Sequence, residues 1–240
     1  MGMQSLLRLA YPPQCVSCGA LVEDAFNLCG ACWRETPFIT GLVCDLCGVP
    51  LPGESDGSVV TCDDCMRIER PWLRGRSALV YRDNGRRLVL ALKHGDRLDL
   101  VRPASRWLEA VAGPCLLPDA VIVPVPAHYT RLVKRRYNQA AMLAQAVASR
   151  TRHAYLPGLL RRVRGTRVQD GMSVEARFSN LSGAIQPAPT AEHRLAGRPV
   201  LLIDDVLTSG ATLSAATEAS FAAGAQSVCV LALARVAKDA

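Results

Sequence analysis

Two sets of residues in this 240-residue chain have types and spacings that can do chemistry. The first is four C-x-x-C pairs: Cys15/Cys18, Cys29/Cys32, Cys44/Cys47 and Cys62/Cys65. That spacing puts two thiolates on one tight turn, and two such turns complete the tetrahedral shell that zinc prefers. Gly19 and Gly48 directly follow the second cysteine of their pairs, where a knuckle turns sharply. Four pairs in succession point to two structural zinc ions. Sequential grouping is the simplest, although an interleaved cross-brace has the same spacing. The second set is residues 200–212, VLLIDDVLTSGAT. Four apolar residues lead to two adjacent acids, then to a loop of small, hydroxyl and glycine residues. Carboxylates at a strand end can hold the vicinal hydroxyls of a sugar, directly or through Mg²⁺. Thr208, Ser209 and Thr212 offer hydroxyls to a phosphate, and a helix N-terminus beside them adds backbone N–H groups. Gly210 lets the backbone approach closely. The plain alternative is an ordinary strand–turn–helix with a capping side chain.

The elements that must position these groups are legible from periodicity. Residues 77–81 (SALVY) read as a short strand, 86–93 as helical and 98–111 as a second helix ended by Gly113-Pro114. From residue 119 the apolar runs 120–125, 199–205 and 227–234 have strand length, and 138–150 and 212–223 have helical composition between them. Continuous apolar strands alternating with helices predict an α/β domain with a parallel sheet covered on both faces. The predicted organisation is a metal module over residues 1–70, a connecting strand and helices over 71–118, and the core domain over 119–240.

Charge is concentrated. Residues 127–181 hold eleven Lys/Arg against two acids, Asp170 and Glu175, an excess of nine against +7 for the whole chain. A segment of that kind calls for a polyanionic partner, either the phosphates of a small ligand or a nucleic acid backbone. Two four-thiolate zinc sites would bring the loaded chain to about +3. No signal peptide opens the sequence and no run approaches the roughly 18 apolar residues that span a bilayer, so a cytoplasmic protein is expected. There, ten cysteines argue for metal ligation rather than disulfides. Cys115 and Cys229 stand alone and are expected to pack in the core. His94, His128, His153 and His193 show no ligand or triad spacing. Tyr129, Tyr137 and Phe178 are too sparse for a base-stacking motif.

The stretch 200–212 resembles the motif of type I phosphoribosyltransferases that binds phosphoribosyl pyrophosphate (PRPP). That resemblance implies that Asp204 and Asp205 hold the ribose hydroxyls, and that Thr208, Ser209, Gly210, Ala211 and Thr212 hold the 5′-phosphate. Residues 123–127 (VPVPA) resemble the pyrophosphate-loop region of the same fold. Residues 131–139 (RLVKRRYNQ) resemble the R-x-R-G-[FY]-N-Q segment of the ComF family, with Arg136 where that family often has glycine. Arg135 is thereby implied in catalysis, and Asn138 and Gln139 in the pyrophosphate region. Residues 161–181 match the family's R-x-T-x-x-Q…R-x-x-N-L pattern through Arg164, Thr166, Gln169, Arg177, Asn180 and Leu181. In these enzymes that segment is a hood closing over PRPP, where guanidinium groups suit a pyrophosphate leaving group. A solvated basic loop is the plain alternative. Lys93 and Gly95 also resemble a family K-x-G feature.

The sequence is thus identified as ComF-like, with a type I phosphoribosyltransferase-like parallel sheet flanked by helices and a small N-terminal zinc-ribbon module. The resemblance implies PRPP and Mg²⁺ as ligands and a link to natural competence and DNA uptake. Two functions follow from it. One is an enzyme that transfers the phosphoribosyl group to an unknown acceptor and releases pyrophosphate. The other is a non-catalytic PRPP sensor that binds single-stranded DNA or a DNA-uptake partner.

Overall fold

The computed structural model describes residues 11–94, 97–128, 137–165 and 173–237. Its strands are β1 (Arg74–Val80), β2 (Val121–Pro124), β3 (Ala154–Tyr155), β4 (Leu160–Arg162), β5 (Ile185–Pro187), β6 (Pro199–Leu207) and β7 (Ser227–Arg235). Five of them form one parallel sheet in the order β1-β7-β6-β2-β3, while β4 and β5 pair antiparallel in a separate ribbon. The helices are α1 (Gly30–Glu35), α2 (Asp63–Arg67), α3 (Asp83–His94), α4 (Val101–Ala112), α5 (Gln139–Thr151), α6 (Val174–Leu181), α7 (Ala191–Leu195) and α8 (Ala211–Ala222).

The central strands carry long apolar runs because both faces of the sheet are covered. Leu201, Ile203, Cys229 and Leu231 face a layer that includes Leu88 of α3, Leu108 of α4 and Leu143 of α5. Their alternates, Val200, Leu202, Val228 and Val230, face Leu213 and Ala216 of α8. The layer on that second face also contains Cys44, Cys47, Cys65 and Trp72 from the N-terminal module. The segment 71–118 contributes the edge strand β1 and two helices to this same layered structure.

The N-terminal module closes the edge at β1, where unpaired backbone groups would otherwise face water. The link between the two cysteine groups runs along it. Ile39 N–H donates to Ala78 O and Val80 N–H to Pro37 O, both at 2.9 Å, and Gly75 N–H donates to Asp45 O at 2.8 Å. Asp45 also forms a 2.6 Å ion pair with Arg76, with both side chains largely buried. Gly75 is where backbone meets backbone: a Cβ there would stand 2.3 Å from the Leu46 carbonyl oxygen. A carbonyl held in a knuckle cannot swing aside, so Gly75→Ala is expected to cost about 3 kcal/mol, at the upper end of overpacking. The midpoint of thermal melting should fall by roughly 6–12 °C for a chain of this size. An unchanged melt would mean that the knuckle does not rest on β1.

Two departures from the sequence reading have simple causes. Strand β1 begins at Arg74, ahead of the expected residue 77, because β7 pairs with its first residues, Arg74 with Cys229 and Gly75 with Val230. The basic stretch 161–181, read as a polar segment, holds the end of β4 and helix α6, which Ser173 caps by accepting from Ala176 N–H at 3.2 Å. No helix among the described residues is long and apolar enough to cross a membrane.

Candidate functional site

The eight paired cysteines converge as two sets in chain order. Cys15, Cys18, Cys29 and Cys32 form one cluster and Cys44, Cys47, Cys62 and Cys65 the other, with the ligand atoms of each set within 4.8 Å of one another. In each set a backbone N–H of the second knuckle donates to the first cysteine: Cys29 N–H to Cys15 Sγ at 3.2 Å, and Cys62 N–H to Cys44 Sγ at 3.3 Å. Four soft donors at that separation, with N–H groups supporting thiolate charge, fit tetrahedral zinc. The grouping is sequential rather than cross-braced.

The acid pair lies at a crevice that the topology creates. From β2 the chain passes through α5 outward to β3, whereas from β6 it passes through α8 outward to β7. The carboxyl ends of the neighbouring strands β2 and β6 therefore flank a topological switch point, the usual ligand crevice of an open α/β sheet. Asp204 and Asp205 sit near the end of β6, and Thr208, Ser209 and Gly210 form the turn into α8. Gly210 has φ +89°, a left-handed conformation that starts the helix sharply.

Electrostatics distinguish the two acids. Burial, followed by repulsion from Asp205, pushes the Asp204 carboxyl up to about 7. Asp205 N–H, which donates to Asp204 Oδ1 at 2.8 Å, and the cations Lys93 and Arg162 only partly oppose that rise. Asp205 itself pairs with Lys93 Nζ at 3.0 Å. Two neighbouring acids that crowd one another in this way suit a ligand that brings hydroxyl donors or a divalent cation.

Asn138 and Gln139 support this crevice from behind. Asn138 caps α5, accepting from Ala140 N–H at 3.1 Å, and donates to Val125 O at 3.0 Å, tying down the loop after β2. Gln139 is buried and donates to Lys93 O at 3.3 Å. In the segment 161–181 Arg164 is exposed and donates to the carbonyls of Asn180 and Ser182 at the end of α6. Arg177 and Asn180 are half-buried on α6, and Leu181 is fully buried. Arg135, Arg136, Thr166 and Gln169 lie outside the described residues.

Sequence reasoning gave little weight to four residues near the loop. Lys93 and Arg162 act on the acid pair. Arg70 and Arg235 donate to carbonyls of the loop between β6 and α8: Arg70 Nη1 to Ser209 O at 2.5 Å, and Arg235 Nη1 to Thr208 O at 2.8 Å. Arg235 closes an apolar strand, a signal that was present. Nothing near Arg70 in sequence marks it. Cys115 is buried in the core, where its thiol donates to Val230 O at 3.7 Å, and the neighbouring Cys229 together with burial pushes that thiol up.

Comparison with known proteins agrees with this layout. The model of the double zinc ribbon domain matches residues 6–66, and that of the phosphoribosyl transferase domain matches residues 137–240. Competence protein F of Haemophilus influenzae is 28% identical over 92% of this chain and 96% of its own. DNA utilization protein YhgH of Escherichia coli is 28% identical over 95% of this chain and 99% of its own. A crystal structure of APRTase from Giardia lamblia complexed with 9-deazaadenine aligns with 60% of this chain and 70% of its own, at 20% identity and a TM-score of 0.37. The chain is thus similar to these two relatives over nearly its whole length, and it carries a double zinc ribbon domain followed by a phosphoribosyl transferase domain.

Proposed function

We propose that the crevice between β2 and β6 binds PRPP with Mg²⁺, and that the protein uses this site in the handling of DNA. The observation that carries the reading is the register of β6: both acids, the hydroxyl loop and the start of α8 follow one another at the switch point. Asp204 and Asp205 accept from the ribose hydroxyls. The 5′-phosphate lies against the N–H groups and hydroxyls of residues 208–212, at the favourable end of a 12-residue helix. Arg162 and the hood arginines Arg164 and Arg177 supply positive charge toward the pyrophosphate. Magnesium, held with the pyrophosphate, would neutralise charge developing on the leaving group.

Phosphoribosyl transfer is the reaction such a site promotes. The bond between C1 and the pyrophosphate oxygen breaks with its electron pair leaving on pyrophosphate. An acceptor nitrogen forms the new bond to C1 and releases its proton. The residues named here contribute position and preorganised charge rather than covalent chemistry.

Calorimetric titration of the zinc-loaded protein with PRPP, with and without Mg²⁺, tests the binding. Saturable, Mg²⁺-dependent binding is expected, and its absence would overturn the reading. A pyrophosphate-release assay over a panel of nitrogen acceptors tests transfer. The eleven Lys/Arg of residues 127–181 favour a second reading, a PRPP sensor that also binds single-stranded DNA. PRPP binding without pyrophosphate release, combined with DNA binding that weakens steeply with salt, would select that reading.

A further inference from the structure

Two arginines are buried beneath the phosphate loop without a carboxylate. Arg70 is 7% exposed and Arg235 4%, and neither belongs to an ion pair with Asp or Glu among the described residues. A buried guanidinium with no counter-charge is strongly disfavoured. For Arg70 the counter-charge is the second cysteine cluster: its Nε donates to Cys65 Sγ at 3.5 Å. Four thiolates around one Zn²⁺ carry a net charge of about −2, enough to balance the guanidinium beside them.

The other ends of these side chains hold the loop. Arg70 takes the Ser209 carbonyl, and Arg235 takes those of Thr208 and, at 3.3 Å, Leu207. In a trans peptide the C=O of one residue and the N–H of the next point in opposite directions. Drawing these three carbonyls toward the guanidiniums therefore turns the N–H groups of Thr208, Ser209 and Gly210 the other way, as an anion cradle requires. Gly210 belongs to the same contact: a Cβ there would stand 2.4 Å from Arg70 Nη1 and 3.1 Å from Trp72.

We propose that the second zinc site (Cys44, Cys47, Cys62, Cys65) is the electrostatic anchor of the phosphate loop, acting through Arg70 as a positioning residue for phosphate binding, while Arg235 holds the neighbouring loop carbonyls. The first zinc site has no part in this linkage. The assignment of the loop's ligand as PRPP rests on the function proposed above; the link between zinc and loop does not.

Coupling between two sites is reciprocal, so a ligand on the loop must tighten the zinc that anchors it. The test is titration of both zinc ions of the full chain against a competing chelator, with and without PRPP and Mg²⁺. In the wild-type protein PRPP is expected to tighten one zinc about tenfold and leave the other unchanged. Arg70→Gln should weaken that same zinc in the absence of any ligand, abolish its response to PRPP, and lower PRPP affinity about tenfold. Arg70→Lys keeps the charge but cannot span thiolate and carbonyl. It should restore the ligand-free zinc affinity without restoring the response to PRPP, and it serves in place of Arg70→Gln should that variant fail to fold. Arg76→Gln, which cuts the Asp45 contact elsewhere on the same ribbon, should leave the response intact. If the wild-type protein ignores PRPP, the ligand assignment falls and the ligand-free zinc affinities still decide the anchor. Zinc affinities unchanged in Arg70→Gln, or a PRPP response equal to wild type in Arg70→Lys, would overturn it.

Discussion

Removing both zinc ions with a chelator will lower the melting midpoint of the whole protein by more than 15 °C, not merely release a flexible N-terminus. The reason is where the cysteines sit. Cys44 and Cys47 are fully buried and Cys65 nearly so, in the apolar layer that also holds Val200, Leu202 and Val230 of the central strands. Without the metal, four thiols crowded within 4.8 Å lose the bonds that justify their placement. Zinc binding in such modules contributes on the order of 10 kcal/mol of folding free energy. The edge of β1 would lose its cover as well, since Ile39, Pro37 and Asp45 reach it from the chain held by the two clusters. At roughly 2–4 °C per kcal/mol, loss of that free energy corresponds to roughly 20–40 °C, above the expected drop. Single-site variants should rank by burial, with Cys47→Ser costing more than Cys18→Ser because Cys18 is exposed. Melts of chelated and reloaded protein, with zinc content measured alongside, check this. A chelated protein that melts like the loaded one would show that the ribbons are not part of the cooperative unit.

The two clusters differ in their neighbours, and only the second meets the loop after β6. Asn84, near the start of α3, is buried and donates to Cys32 O at 3.2 Å and to Thr36 Oγ1 at 2.8 Å, while it accepts from Ser17 Oγ at 2.5 Å. Lys93, which meets Asp205, lies in the last turn of that helix, away from these contacts. The first ribbon is thus held against the start of a helix, and the second against the Ser209 carbonyl through Arg70.

What the sequence could disclose was local. C-x-x-C spacing, an apolar strand ending in two acids, and a hydroxyl–glycine turn each lie within a dozen residues, and their chemistry follows from spacing. Contacts made across the chain were out of reach. Arg70 and Ser209 are 139 positions apart, and no periodicity marks a loop arginine that will be buried against a thiolate. Strands β3, β4 and β5 have two or three residues each, too few to establish alternation. Asn138 and Gln139 were identified through a family pattern, which says that a residue matters without saying whether it touches ligand or backbone. Here their hydrogen bonds go to Val125, Ala140 and Lys93.

Asp204→Asn is expected to stabilise the ligand-free protein above pH 7 while weakening PRPP binding at least a hundredfold. An aspartate that titrates near 3.8 when unfolded and at about 7 when folded holds its proton more tightly in the fold. Its contribution to stability is therefore fully present below pH 4 and is lost as pH rises through 7. At 1.36 kcal/mol per unit the loss is about 4 kcal/mol at most, and partial exposure at the strand end brings it nearer 2–4 kcal/mol. Asparagine has the same shape and no charge, so the variant should melt roughly 4–16 °C above wild type at pH 8 and close to it at pH 4. The function proposed for the site reverses the preference. Ribose hydroxyls need an ionised acceptor, and an amide offers one oxygen and no charge. Wild-type affinity for PRPP should accordingly rise with pH up to about 7 and then level off, with proton release on binding below that point. Melts at pH 4 and pH 8, paired with PRPP titrations across the same range, separate the two effects. Parallel melting curves for wild type and Asp204→Asn at both pH values would show that the carboxyl is not held protonated by its surroundings. In the ligand-free protein Lys93 and Arg162, both at this end of the sheet, offset only part of the cost of charging Asp204.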